Sequence, residues 1–196
     1  MTDGTAHIAS QPFIVGIGGT PRLGSTTDRA LLIALNAAQE TGARTLFFGG
    51  AFLAKLPIYV PENCERTEAQ HQLIEAVRAA DGLIVASPGY HGGVSGLVKN
   101  ALDLLEDLRE DKRSYLDGRA VGCIITAHGW QTTGTALTAL RSIVHALRAW
   151  PTPLGAALNT AEDIFDAAGT CTDPKAVRQL MIVGRQVAEF ANKQRG

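Results

Sequence analysis

Five times along this chain a short apolar run gives way to a stretch with helical spacing, and that alternation decides the fold class. Phe13–Gly18 opens the series as a buried-strand pattern. A loop, Gly19–Ser25, leads into a helical pattern over Thr26–Glu40, where Leu31, Leu32, Leu35 and Ala38 recur at helix spacing and Gly42 supplies a stop. Ala43–Phe48 reads as the second strand and Glu68–Ala80 as the second helix, with Leu73, Ile74 and Val77 inward. Gly82–Ala86, Ala120–Thr126 and Pro153–Leu158 complete the strands. Gly96–Leu108, Gly134–Ala149 and Asp173–Lys193 complete the helices, the last opened by Asp173 as cap and Pro174 in its first turn. Such regular alternation implies a parallel sheet covered by helices on both faces through right-handed crossovers. The expectation is a three-layer α/β domain with a five-stranded parallel sheet over residues 13–193, behind a flexible segment at 1–12.

At 196 residues the chain is long enough to bury such a core as one domain, and no repeat or linker interrupts it. A net charge of −1 gives no reason to expect nucleic acid or an anionic membrane as partner, so any anion must be bound locally. Cys64, Cys123 and Cys171 lie far apart, with no C-x-x-C pair, which argues against a disulfide framework or a zinc knuckle. His71, His91, His128 and Cys64 likewise lack metal-ligand spacing. Cys123 sits in an apolar run and reads as a small core residue. Met1–Gln11 is polar, without the basic and apolar regions of a leader, so a cytoplasmic location is expected.

In open parallel sheets ligands bind beyond the C-terminal strand ends, and three of those ends carry glycine-rich loops here. The first, Gly18–Thr27, offers glycines for close backbone approach, hydroxyls on Thr20, Ser25, Thr26 and Thr27, the Arg22 guanidinium and a helix N-terminus. Together these make a phosphate cradle. Counting from Gly16, the dinucleotide fingerprint G-x-G-x-x-G fails at Pro21. The triphosphate loop G-x-x-x-x-G-K-[ST] fails at Ser25, which stands where lysine is required. A single phosphate monoester suits the loop better.

The second loop, Ser87–Gly96, exposes enough glycine backbone to meet the edge of a planar heterocycle. Tyr90 either lies against a ring or packs; His91 either transfers a proton or only hydrogen-bonds. Lys99 and Asp103, four apart on a helix, suit an ion pair. The long segment Gly49–Arg66, with Pro57 and Pro61, is expected to cover part of a site. In the third loop, Ala127–Gly134, Trp130 either shields a cofactor or buries against the sheet.

Gly19-Thr20-Pro21-Arg22-Leu23-Gly24-Ser25-Thr26-Thr27 resembles the G-S-x-R-x-x-S-x-N loop of the NADPH-dependent FMN reductase family. Ser87-Pro88-Gly89-Tyr90-His91-Gly92, running into Ser95-Gly96 and Lys99-Asn100, is similar to that family's S-P-x-Y-x-G…S-G…K-N segment. The resemblance covers roughly Phe13 to Asn159 and implies a flavodoxin-like fold that binds FMN and takes hydride from NADPH or NADH. By position, Thr20, Arg22, Ser25 and Thr27 would hold the phosphate, with Thr26 beside them. Pro88, Gly89, Tyr90, His91 and Gly92 would border the isoalloxazine ring. Thr20 replaces the usual serine and Thr27 the usual asparagine; His128 takes the first place of a glycine pair completed by Gly129.

The expected activity is hydride transfer from NAD(P)H to FMN and onward to an acceptor such as free flavin, a quinone, an azo compound or a metal oxyanion, in alternating turnover. A flavin-dependent monooxygenase is one candidate recipient of reduced flavin. The competing reading is a non-enzymatic electron carrier or flavin binder, whose strongly acidic surface a net charge of −1 does not supply. A phospho-receiver domain would need acidic strand ends where Gly18-Gly19 and Ser87-Pro88 stand. A homodimer or homotetramer is expected from the resemblance and from the apolar stripe Leu97, Ala101, Leu104, Leu105 and Leu108, which Leu102 widens.

Overall fold

The computed structural model describes residues 11–195; the part of the expected flexible segment at 1–10 lies outside them. In chain order the elements are β1 (Phe13–Gly18), α1 (Thr26–Glu40), β2 (Arg44–Phe48), α2 (Gly50–Leu53), α3 (Glu68–Ala79) and β3 (Gly82–Tyr90). After them come β4 (Gly93–Val94), α4 (Gly96–Asp103), a 3₁₀ turn (Leu104–Leu108), β5 (Ala120–Ala127), α5 (Trp130–Ala146), β6 (Trp150–Pro151), β7 (Ala156–Asn159) and α6 (Pro174–Arg195). The sheet order is β2-β1-β3-β5-β6, with β7 also on β5 and β4 antiparallel to β3.

Five positions across the sheet match the sequence reading, but the fifth is divided. Ala120 and Val121 of β5 pair with Trp150 and Pro151, whereas Ile124–Ala127 pair with Ala156–Asn159. Between them Thr152 closes a local turn onto Leu154, so the strand expected at Pro153–Leu158 starts only at Ala156, and a separate two-residue piece, Trp150–Pro151, precedes it. β3 runs four residues past the expected Ala86, because Ser87 and Pro88 still pair with Ile125 and Thr126. α5 starts at Trp130 rather than Gly134: Gly129, at φ +108°, turns the chain straight from strand to helix, and Gly134 rides inside that helix.

Two apolar layers sandwich the sheet. Val15, Ile17, Leu83, Val85, Cys123 and Ile125 face α3, α4 and α5. Ile14, Ile84 and Ile124 face α1 and α6. Those last two helices cross so closely that a Cβ at Gly184 would collide with the Ala34 carbonyl. Caps follow the sequence: Ser25 accepts the Asp28 N–H, Thr67 and Gln70 form a reciprocal capping box, and Ser95 accepts the Val98 N–H.

The leucine stripe expected to leave apolar surface does not. Ala101, Leu102, Leu104, Leu105 and Leu108 are all buried, the last three because the 3₁₀ turn rolls them under α3, and Leu97 is half-buried. The argument for self-association from that stripe therefore fails.

The N-terminal end of the sheet is closed by charge. Arg119, 1% exposed, donates to the carbonyls of Ala80 at 2.9 Å, Arg78 at 2.9 Å and Tyr115 at 2.5 Å. Burial pulls its guanidinium down to about 10, still protonated at neutral pH. Asp81 accepts from the Phe13 N–H at 2.8 Å and from Arg195 at 2.6 Å, tying β1 to the last helix.

Candidate functional site

At the opposite end, β1, β3 and β5 stop side by side over a pocket of about 370 Å³. Of the residues singled out from sequence, Thr20, Arg22, Ser25, Thr26 and Thr27 line one part of it. Pro88, Gly89, Tyr90, His91 and His128 line the rest. Gly92 and Gly129 stand just outside as turn residues. Among the described residues the lining contains no carboxylate.

The phosphate loop is held from behind. Asp28, buried under it, accepts from the Ser25 hydroxyl at 2.8 Å and from the Gly50 N–H at 3.2 Å. Gly19 is required here, since a Cβ would land on the Asp28 carboxylate. The Ser25 proton is thus spent on Asp28, and its oxygen caps the helix. Ser25 shapes the loop rather than offering its hydroxyl to an anion. The Thr27 hydroxyl meets that of Thr126 at 2.6 Å, bracing β1's loop against the end of β5.

Other donors remain open. The backbone N–H groups of Thr26 and Thr27, the hydroxyls of Thr20 and Thr26, and the Arg22 guanidinium meet no acceptor among the described residues. A helix N-terminus with free N–H groups and an unpaired arginine is the donor set a phosphate monoester calls for. FMN fits the site on this observation.

The ring end is a hairpin. Gly89 pairs with Val94 and Tyr90 with Gly93, so His91 and Gly92, at φ +50° and +83°, form a two-residue turn of the primed type. Ser87 fixes it: its buried hydroxyl donates to the Pro88 carbonyl at 2.8 Å and accepts the Ser95 N–H at 2.9 Å. This gives the Ser-Pro…Ser-Gly spacing its mechanical meaning. His91 sits exposed at the tip in a conformation that costs a non-glycine residue strain, and Tyr90 is 55% exposed beside it.

Three expectations are corrected. Gly49–Arg66 does not cover the pocket: none of it contributes to the lining. Asn100 straps it to α4 instead, accepting the Tyr59 N–H at 2.8 Å and donating to the Pro57 carbonyl at 3.1 Å, while Arg66 grips Asp107 through two bonds of 2.9 Å. Trp130 neither shields the pocket nor buries; it stands 63% exposed at the start of α5. Gly129 does not touch the pocket but donates its N–H to Asn159 Oδ1 at 2.8 Å. Lys99 and Asp103 do form their ion pair, at 2.5 Å. Thr126, Thr132 and Thr160 also line the pocket without a sequence signal, because threonines at a strand end or first helical turn look like ordinary caps. Cys123 is a core residue whose thiol burial pushes up to about 12.

A hydroxyl-lined, carboxylate-free pocket across the strand ends of such a sheet defines a flavodoxin-like flavoprotein. The sequence profile described as NADPH-dependent FMN reductase matches residues 12–163, and the chain belongs to that family. An iron–sulfur flavoprotein of Methanocaldococcus jannaschii is 31% identical over 137 residues, 66% of this chain and 68% of that protein. An NAD(P)H-dependent FMN reductase of Pseudomonas aeruginosa is 28% identical over 171 residues, 86% of this chain and 88% of its own. Among solved structures, the NAD(P)H:(acceptor) oxidoreductase FerB of Paracoccus denitrificans superposes with a TM-score of 0.69 at 18% identity, covering 93% of this chain and 98% of that one.

Proposed function

We propose that this protein is an NAD(P)H-dependent FMN oxidoreductase in which donor and acceptor use one open flavin face in alternation. The reading rests on the pocket's asymmetry: free N–H groups and Arg22 at one end, a backbone hairpin at the other, and solvent above. FMN, when bound, supplies the redox chemistry, accepting hydride from reduced nicotinamide and passing electrons onward. The chain's own part is placement. Thr20, Thr26 and Arg22 hold the phosphate, Asp28 and Gly50 keep the loop in shape, and the Gly89–His91 backbone sets the ring edge. No side chain needs to move a proton for hydride transfer, so His91 serves as an orienting group.

The acceptor is a small molecule able to stack where the nicotinamide stacked: free flavin, quinone or azo compound, with a flavin-dependent monooxygenase as a downstream user of reduced flavin. An iron–sulfur centre does not carry over from the archaeal relative: Cys64, Cys123 and Cys171 lie far apart in sequence, and no three His, Cys, Asp or Glu side chains gather into a ligand cluster among the described residues. No helix among the described residues is long and apolar enough to cross a membrane, and a cytoplasmic location belongs to the proposal. So does a homodimer or homotetramer: Leu23 in the phosphate loop and Tyr90 on the pocket lining are both exposed apolar side chains.

Anaerobic addition of NADPH or NADH to the FMN-loaded protein tests the reading. The flavin bleaches without acceptor and recolours with oxygen; a flavin left oxidised by millimolar pyridine nucleotide would mark an electron carrier instead.

A further inference from the structure

A second cavity, of about 460 Å³, opens between the end of β7 and the start of α6, beside the flavin pocket. One wall separates the two. The Thr160 N–H donates to the Ala127 carbonyl at 2.9 Å, and Asn159 Oδ1 accepts N–H groups from Gly129 at 2.8 Å and Ala161 at 3.1 Å. The two segments are stitched together. His128 and Thr160 line the flavin side, while Trp130 and Asn159 line the cavity.

Because of that wall, a ring that must touch the flavin has no place in the cavity. Its occupant belongs to a ligand with one reacting end and one that only needs anchoring nearby. Building on the reductase reading, we infer that this cavity docks the adenosine half of the reduced pyridine dinucleotide.

The lining suits a nucleoside in size and chemistry. Trp130, 63% exposed, offers an indole face for a base to stack on. Asn159 is only 9% exposed; with its oxygen committed to two N–H groups, its NH₂ donates to nothing among the described residues and is left for the cavity. Gln179 adds a second amide to read a base edge. Glu162 and Asp173 are the acceptors that ribose hydroxyls seek. The rim holds two carboxylates against one ammonium, Lys175, so the cavity suits the free adenosine ribose of NADH rather than the 2′-phosphate that NADPH carries there.

Two measurements test this, one of them independent of turnover. Trp130 and Trp150 are the chain's two tryptophans, and Trp150 lies at the far end of the sheet. In a Trp150→Phe variant without flavin, titration with ADP-ribose should quench the remaining fluorescence saturably; no change up to millimolar ADP-ribose overturns the subsite. In the FMN-loaded protein, NADH is compared with reduced nicotinamide mononucleotide, which has the same reacting ring and no adenosine. The wild type should reach half-maximal flavin reduction at a far lower NADH concentration. Trp130→Ala should narrow that advantage about tenfold, within what stacking a base on an aromatic ring is worth. Gln179→Leu should narrow it about threefold, from one lost hydrogen bond. Equal use of both donors by the wild type, or an advantage both variants leave intact, overturns the subsite while the reductase reading stands. A flavin that neither donor reduces overturns the reductase reading, and the subsite with it.

Discussion

The two ends of the sheet are built on opposite principles. At the N-terminal end the polar groups are taken up by fixed partners: Arg119 takes three carbonyls, and Asp81 takes the Phe13 N–H and Arg195. Arg44 lies 3.7 Å over the Phe13 ring. At the C-terminal end, the Thr26 and Thr27 N–H groups, Arg22 and the Thr20 hydroxyl meet no acceptor among the described residues. One end invests its polar groups in the fold; the other keeps them for a ligand. Stability and binding should therefore respond to different mutations.

Arg119→Met is the strongest way to break that division. It strands three carbonyls at a buried site and should cost about 3–5 kcal/mol by urea denaturation, with FMN affinity of the folded protein unchanged. A cost under about 1 kcal/mol would mean that water replaces the guanidinium and the closed end is not closed. Arg22→Ala is the mirror experiment. FMN affinity should fall by about 1.5–3 kcal/mol, while stability shifts by no more than about 0.5 kcal/mol. Fluorescence titration with FMN and riboflavin checks it, and equal affinity for the two flavins would remove the phosphate from the argument.

Thr126→Val sharpens the boundary, because Thr126 serves both sides. Losing its bond to Thr27 should lower stability and FMN affinity together, each by about 1 kcal/mol. A change in only one would assign Thr126 to that role alone. His91→Gly should have the smallest effect: relief of the positive φ gives a gain of about 0.5–1 kcal/mol in stability, with flavin reduction slowed less than tenfold. A hundredfold loss of rate would make His91 a proton-transfer residue.

The division explains what was legible in the sequence. Strands buried on both faces leave continuous apolar runs, so β1 and β5 could be bounded within a residue or two. The phosphate loop was legible because glycine, hydroxyl and arginine have few other reasons to cluster at a strand end. Ser87-Pro88-Gly89 was misleading: its composition says loop, yet pairing of Ser87 and Pro88 to β5 and of Gly89 to β4 keeps it in the sheet. The silent partners are those whose role depends on distant chain. Thr126 meets Thr27 across 99 residues, and Arg119 reaches back 39 and 41 residues to Ala80 and Arg78. Neither has a local pattern to betray it. Ser25 was legible as a site residue but not in its role, since the Asp28 carboxylate that claims its proton reads only as a helix-start acid.

The divided strand at the sheet margin has a consequence for the crowded cell. An unbroken outer strand presents a row of free amide groups on which another chain can polymerise. At this one of the sheet's two margins, opposite the unbroken edge strand β2, the chain offers only Trp150–Pro151 and Ala156–Asn159, and Pro151 and Pro153 remove two donors from the stretch. A foreign strand would gain two residues of pairing before meeting the break. This border guards against fibrillar association at high protein concentration, and mending the gap to leave one uninterrupted strand should lower the concentration at which the protein aggregates.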